Sequence, residues 1–265
     1  MSAAFAACLA SLGFVGAFIA GLLGIGGAII MIPLLLYVPG GLGLGVLDMK
    51  MAAALSMAQV FFAAAAGAIF HGVHGTVHRG LAICAGAGAA VGSLLGGIGS
   101  RWISSWGLLL AFALMATLGA GLMWAAPEER AGAGSPKPDE LSLSRPSAVA
   151  IGVAVGVMAG LVGAGGAFLL IPLLITVLKV PTRLTIGSSL AITLWPASTG
   201  FLGKLVTAQI PFGPAVVLVL GALPGIALGE WASRRTRVRT LRGLLTTLIA
   251  LAAIRVWIDV VTAFH

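Results

Sequence analysis

Two stretches decide the fold: GLLGIGGAIIMIPLL, Gly21 to Leu35, and GLVGAGGAFLLIPLL, Gly160 to Leu174, which align without a gap at a constant offset of 139 residues. Each holds three glycines close together, Gly24, Gly26 and Gly27 in the first and Gly163, Gly165 and Gly166 in the second. Each then restarts as an apolar stretch, from Ala28 to Pro33 and from Ala167 to Pro172. Both lie in apolar runs of about 35 and 32 residues, 4–38 and 147–178, whereas one helical crossing of a bilayer needs roughly 20. Glycine costs a helix interior about 1 kcal/mol relative to alanine. The expected local structure is therefore a helix that unwinds at the glycines and restarts, as a broken helix or a re-entrant pair.

Outward from these stretches, further apolar runs bounded by polar residues cover 50–70, 80–99, 105–125, 185–205, 213–232 and 241–262, which makes eight runs in all. The chain of 265 residues is 60% hydrophobic and 8% charged, against about 25% charge in soluble domains. The expected fold class is all-α, a polytopic integral membrane protein. The 39 glycines suit helices that pack through small faces in lipid. The one long polar stretch, APEERAGAGSPKPDELSLSRP, holds four of the seven acidic residues. It reads as a linker over 127–146 between a first membrane repeat, 1–126, and a second, 147–265. A second match supports duplication: Gly92, Gly96, Ser100 and Arg101 pair with Gly225, Gly229, Ser233 and Arg234 at an offset of 133. Four crossings per half would make the repeats parallel and a fifth would invert them; the matched arginines favour parallel halves.

The net charge of +8 does not mark a nucleic-acid binder, because the basic residues sit between apolar runs and not on a soluble surface beside aromatics. With eight crossings, nine Lys and Arg residues, including the cluster SRRTRVRTLR at 233–242, collect on one side and five on the other. The positive-inside rule then places the protein in the cell (inner) membrane with both termini outside, and the cluster also suits anionic membrane lipid. No basic patch precedes Lys50, so the first apolar segment is expected to be kept and not cleaved. Cys8 and Cys84 read as small buried hydrophobes. With no GxSxG, HExxH, P-loop or pair of intramembrane carboxylates, neither an enzyme nor direct ATP drive is expected, and no cofactor or metal is called for.

Broken backbone at membrane depth survives only where protein or a water-filled cavity satisfies its polar groups. A helix restarting after such a break presents free N–H groups and the positive end of its dipole. The repeated GxGGxxxxxP therefore points to a binding site for a small anion. The alternative, that the glycines only permit close helix crossing, applies to a single copy better than to two in corresponding places.

The paired G-x-x-G-x-G-G-x-x-x-x-x-P, each followed by a run with a small-polar stretch and later by G-x-x-x-G-x-x-x-S-R, resembles the TauE/SafE family of sulfite-exporter-type permeases over nearly the whole chain. The resemblance implies two related four-helix halves and transport of sulfur-containing anions such as sulfite, sulfoacetate or related organosulfonates, or of other small organic anions.

The halves differ in their polar residues. The second has Trp195-Pro196 and Lys204 where the first has Phe61 and Phe62, and the first has His71, His74 and His78 near a membrane boundary. Lys204 is open to two readings, snorkelling to the interface or facing the substrate. The histidines could form a proton relay or a metal cluster, or play structural or interfacial roles, to which Gly72 and Gly75 between them point. Gln59, Ser56 and Thr193 are satisfiable within their helices, and Ser188 and Ser189 could donate hydroxyls to an anion's oxygens. The expected substrate-binding set is Gly24, Gly26, Gly27, Ala28, Gly163, Gly165, Gly166, Ala167, Ser188, Ser189, Lys204, Gln59 and His71. The function expected is a secondary transporter working by alternating access, with an anion channel as the alternative. A proton as coupling ion and a homo-oligomer stay open.

Overall fold

The computed structural model describes residues 2–24, 28–72, 79–125, 145–177 and 182–262. Ten α-helices account for nearly all of them: α1 Ala3–Leu23, α2 Ala28–Gly41, α3 Met49–Gly72, α4 Arg79–Gly99 and α5 Ser105–Ala125, then α6 Arg145–Val162, α7 Ala167–Thr176, α8 Thr182–Val206, α9 Phe212–Arg235 and α10 Val238–Thr262. The expected linker, 127–146, falls almost wholly outside the described residues. Five helices, α1, α3, α5, α9 and α10, hold spans long and apolar enough to cross a membrane. The outward surface suits hydrocarbon: Leu114, Leu220, Leu251 and Ile254 are all more than half exposed. Trp102, Trp124 and Trp231, near helix ends, are also exposed, where indole favours the membrane interface.

Each long first run is split in two. The Ser2 side chain caps α1 by accepting from the Phe5 amide at 3.2 Å. Gly24 ends α1 in the left-handed region, with φ 70°, its amide donating to the Ala20 carbonyl, a cap that glycine adopts without a Cβ penalty. The chain then folds back. A Cβ on Gly16 would lie 3.8 Å from the Cβ of Met31, although a straight helix would part these residues by about 22 Å. Likewise a Cβ on Gly166 would lie 2.7 Å from Val155 and 3.0 Å from Ala159 of α6, so α7 begins by turning back along α6. The four-run half is thus a five-helix half, its first run forming a helical hairpin.

Two pairs of helices approach at backbone distance. On α4 and α6, Cβ atoms placed on Gly88, Gly92 and Gly96 would fall 2.1–2.5 Å from the carbonyl oxygens of Val149, Val153 and Val157. On α1 and α9, the same holds for Gly221, Gly225 and Gly229 against Ala10, Phe14 and Phe18, at 2.0–2.3 Å. A glycine every fourth residue makes one flat stripe. The stripes also fix direction, because residue numbers rise together along both members of each pair, so each pair is parallel.

The same test applied to α4 and α8 gives a parallel pair: Gly86 lies against Trp195 and Gly203 against Ile98. The Ser93 hydroxyl donates to the Pro196 carbonyl at 2.6 Å. Since α9 departs from the end where α8 arrives, α4 and α9 run in opposite senses, and Arg101 and Arg234 stand at opposite faces. The expectation of parallel halves is therefore corrected. It assumed one crossing for each glycine-broken run, and the fold-back adds a second. At one face the end of α2 meets the end of α10, where the Tyr37 hydroxyl donates to Asp259, Arg255 pairs with Asp259 at 2.6 Å, and the Arg255 guanidinium lies 4.0 Å above the Tyr37 ring.

The stripes yield a stability prediction. Gly156→Ala places a methyl 2.2 Å from the Ala89 carbonyl oxygen and forces α4 and α6 apart, at a cost of about 1–3 kcal/mol, the range for overpacking. Gly243→Ala on α10, with no atom within 4 Å of the new Cβ, is expected to be neutral or stabilising by up to about 1 kcal/mol. Thermal melting of the two variants in one detergent compares them directly.

Candidate functional site

The site is built around the break between α6 and α7. The amides of Gly163 and Ala164 both donate to the Ala159 carbonyl, at 2.9 and 3.0 Å, which closes α6. The amides of Leu169 and Leu170 both donate to the Gly166 carbonyl, at 3.1 and 2.9 Å, which opens α7. Between them Gly163, Gly165 and Gly166 have φ of 77°, 61° and 77°, a region that L side chains rarely enter. Space forbids a side chain as well. A Cβ on Gly163 would sit 1.9 Å from the Ala53 carbonyl oxygen, and one on Gly165 would sit 2.3 Å from Val60 Cγ1 and 3.2 Å from Thr193 Cγ2. Val60 and Thr193 lie near the midpoints of α3 and α8, so the break threads between the two longest central helices at half their height.

The free groups collect here. The amides of Gly165 and Gly166 have no acceptor among the described residues, and helix geometry leaves those of Ala167 and Phe168, the first of α7, without an intrahelical partner. All belong to the N-terminal, electropositive end of α7. On α3, Ala53, Ser56 and Val60 follow at i, i+3 and i+7, so Ser56 shares the face that meets the break. Ser56, Gln59 and Thr193 are each fully buried. The Ser56 hydroxyl, both amide atoms of Gln59 and the Thr193 hydroxyl have no hydrogen-bond partner among the described residues. Unpartnered polar atoms cost roughly 1–3 kcal/mol each in protein interiors, and nearly all buried ones are paired. Donors beside an unwound helix start, with Thr193 against Gly165 and Ser56 on the side of α3 that meets the break, are the chemistry of an anion cradle; Gln59 stands one residue before Val60 on the same helix. Pro196 adds to the irregularity, because it gives the Ile192 carbonyl on α8 no helical donor.

Lys204 does not snorkel. It is fully buried, and its Nζ donates to Ser100 Oγ at 2.9 Å, and to the Leu161 carbonyl and Gln209 Oε1, both at 3.5 Å. Leu161 stands two residues before the break, so the ammonium meets the end of α6 while the amides open α7.

Of the other expected residues, Gly24 repeats the conformation of Gly163, and Ala28 begins α2 as Ala167 begins α7. Gly26 and Gly27 lie outside the described residues, as do His74, His78 and the side chains of His71, Ser188 and Ser189. His71 itself is in the last turn of α3, and the two serines are in α8. Cys8 is buried and Cys84 half-buried, both as free thiols. Glu230 is buried in α9 where Gly21 of α1 approaches its backbone. Sequence reasoning passed over Ser100 and Gln209 as Lys204 partners. Ser100 carried a signal, as the serine of the G-x-x-x-G-x-x-x-S-R motif; Gln209 carried none, because its role needs the α8–α9 turn to reach the end of α4.

The family model described as "Sulfite exporter TauE/SafE" matches residues 9–256. The chain belongs to the TauE/SafE family. It is 32% identical over 257 residues to a "Probable membrane transporter protein" of Xylella fastidiosa (strain Temecula1 / ATCC 700964), covering 94% of this chain and 92% of the relative. It is 24% identical over 246 residues to the "Probable membrane transporter protein YunE" of Bacillus subtilis (strain 168), covering 88% and 90%. No solved structure gives a significant match. As a TauE/SafE member the protein is a multi-pass membrane transporter and not an enzyme.

The orphaned polar atoms predict a split between stability and function. Gln59→Leu removes unpartnered groups at similar volume, and its stability is expected to equal or exceed that of the wild type, by up to about 1–3 kcal/mol, read as a melting temperature no lower than the wild type's. Gly165→Ala, strained at φ 61° and in contact with Val60, is expected to melt lower.

Proposed function

We propose that this protein is a secondary carrier for a small anion of the sulfur-containing class, sulfite or an organosulfonate, that binds at the α6–α7 break. The observation that carries the reading is that the free amides of Gly165, Gly166, Ala167 and Phe168 open α7 at half-height of α3 and α8, the two helices that carry the buried, unpartnered Ser56, Gln59 and Thr193. Oxyanion oxygens accept from such donors, and the α7 dipole favours negative charge. The family supplies the substrate class, as its name is that of a sulfite exporter.

The geometry of the halves supports alternating access. α1 packs on α9 as α6 packs on α4, and α2 on α10 as α7 on α5, which is the reciprocity of two inverted five-helix repeats. Inverted repeats with discontinuous helices at the midplane suit a carrier that rocks one unit against the other. Ten passes also sharpen the charge asymmetry. The junctions α3–α4, α5–α6, α7–α8 and α9–α10, with their helix ends, carry every Lys and Arg except Lys50, Arg101, Lys204 and Arg255, eleven of fifteen. The positive-inside rule places that face in the cytoplasm and both termini outside the cell membrane. The membrane potential would then favour outward movement of an anion.

Purified protein in liposomes is expected to take up sulfite with a rate that saturates and responds to an imposed gradient. Gln59→Leu and Gly165→Ala should each lose roughly tenfold or more of that rate, the cost of one lost binding interaction of about 1.4 kcal/mol or greater, while Gly243→Ala retains it. A flux that rises linearly with sulfite concentration would favour a channel instead. An Arg237→Cys variant, changed at an exposed position in the α9–α10 junction, is expected to react with a membrane-impermeant thiol reagent in inverted vesicles and not in whole cells.

A further inference from the structure

We propose that Lys204 is a tethered cation: its ammonium occupies an oxygen-lined site for a monovalent cation of ammonium size at the C-terminal end of the broken helix α6. A fully buried ammonium would ordinarily be paired with a carboxylate, and among the described residues none accepts from it. Its acceptors are three neutral oxygens of different kinds: a hydroxyl (Ser100 Oγ, 2.9 Å), a main-chain carbonyl (Leu161, 3.5 Å) and a side-chain carbonyl (Gln209 Oε1, 3.5 Å). Oxygen sets of this type hold hard cations.

The oxygens are held in place by the fold. The Ser100 hydroxyl lies within donor distance of the Gly97 carbonyl, at 2.7 Å, and of Gln209 Oε1, at 3.0 Å, and Gln209 Nε2 donates to Gly97 at 3.2 Å and to Thr207 Oγ1 at 2.6 Å, which fixes Oε1 beside both the Ser100 hydroxyl and the ammonium. Leu161 is in the last turn of α6, whose amides after the helix end go to Ala159. Its carbonyl is at the negative end of the helix dipole, and a cation there is favourable. The ammonium thus joins the ends of α4 and α6 to the α8–α9 turn, immediately before the break. At the offset of 133 that matches Ser100 with Ser233, the first half has His71 where the second has Lys204, so the lysine belongs to one repeat alone.

The consequence for transport rests on the carrier reading. With a cation covalently supplied at the end of α6, the wild-type protein needs no dissolved sodium or potassium to hold the break in its binding geometry. Lys204 is in this sense a positioning residue. Truncation should expose the site: Lys204→Ala leaves the oxygens facing space that a free cation can enter.

The test is the melting temperature of purified protein in potassium, ammonium, methylammonium or choline chloride at equal ionic strength. The wild type is expected to melt alike in all four. Lys204→Ala is expected to melt lower in choline and to regain roughly 5 °C in at least one of the small cations, as mass action on a ligand bound only by the folded form requires. Lys204→Met, whose neutral chain fills the same space, is expected to be destabilised and to regain nothing. Lys204→Ala behaving alike in choline and in every small cation, whether folded or not, overturns the proposal, as does Lys204→Met melting with the wild type. Melting is read without transport, so sulfite flux by the wild type in choline alone, measured in parallel, judges the carrier reading separately. A wild-type protein without flux leaves the cation site standing, and flux without cation rescue removes the site alone.

Discussion

A peptide group that leaves a helix inside a bilayer must find a partner in the protein, because hydrocarbon offers none. That constraint governs the α6–α7 break. The chain meets it on one side by turning two amides onto the Ala159 carbonyl and by setting the Lys204 ammonium against the Leu161 carbonyl. It does not meet it on the other, where the amides of Gly165 and Gly166 have no acceptor among the described residues, and where α3 and α8 alongside carry Ser56, Gln59 and Thr193, buried and without a hydrogen-bond partner among the described residues. The asymmetry is chemical. At the start of α7 the amides are left over, so that end of the break calls for acceptors, and the positive end of the helix dipole favours anionic ones.

The break is held at this depth by the glycine stripes. Backbone approach of α4 to α6 and of α1 to α9 brings main-chain oxygens where side chains would otherwise stand, which gives dispersion contacts in a solvent where the hydrophobic effect does not drive helices together. Each stripe joins the first helix of one half to the fourth of the other, so the hairpin carrying each break is clamped to the opposite half.

The breaks themselves were legible in the sequence, since three glycines within four residues of a 32-residue apolar run leave few alternatives. So was the all-helical membrane class, and the resemblance drawn from the paired motifs agrees with the family match over residues 9–256. The number of crossings was not legible. Whether a broken helix continues or folds back depends on two or three φ values at the glycines, 77°, 61° and 77° in the second half, and glycine allows both signs. That choice reversed the relation between Arg101 and Arg234, which the sequence alone had set on one side.

The site divides in the same way. Lys204 stood out by chemistry, as a cation inside an apolar run, and Gln59 as an amide inside another. Composition and spacing determined that this chain lives in lipid, breaks its helices at Gly24 and Gly163, and carries its charge in the loops, because these properties are local: they depend on the solvent each residue type tolerates and on the backbone angles it permits. Only the tertiary structure decided that Lys204 is enclosed by Ser100, Leu161 and Gln209, residues 43 and 104 positions away in two cases, and that Ser56, Gln59 and Thr193 stay unpartnered beside the break. Partnership between a buried donor and acceptor is settled by distance in space, which chain position does not encode.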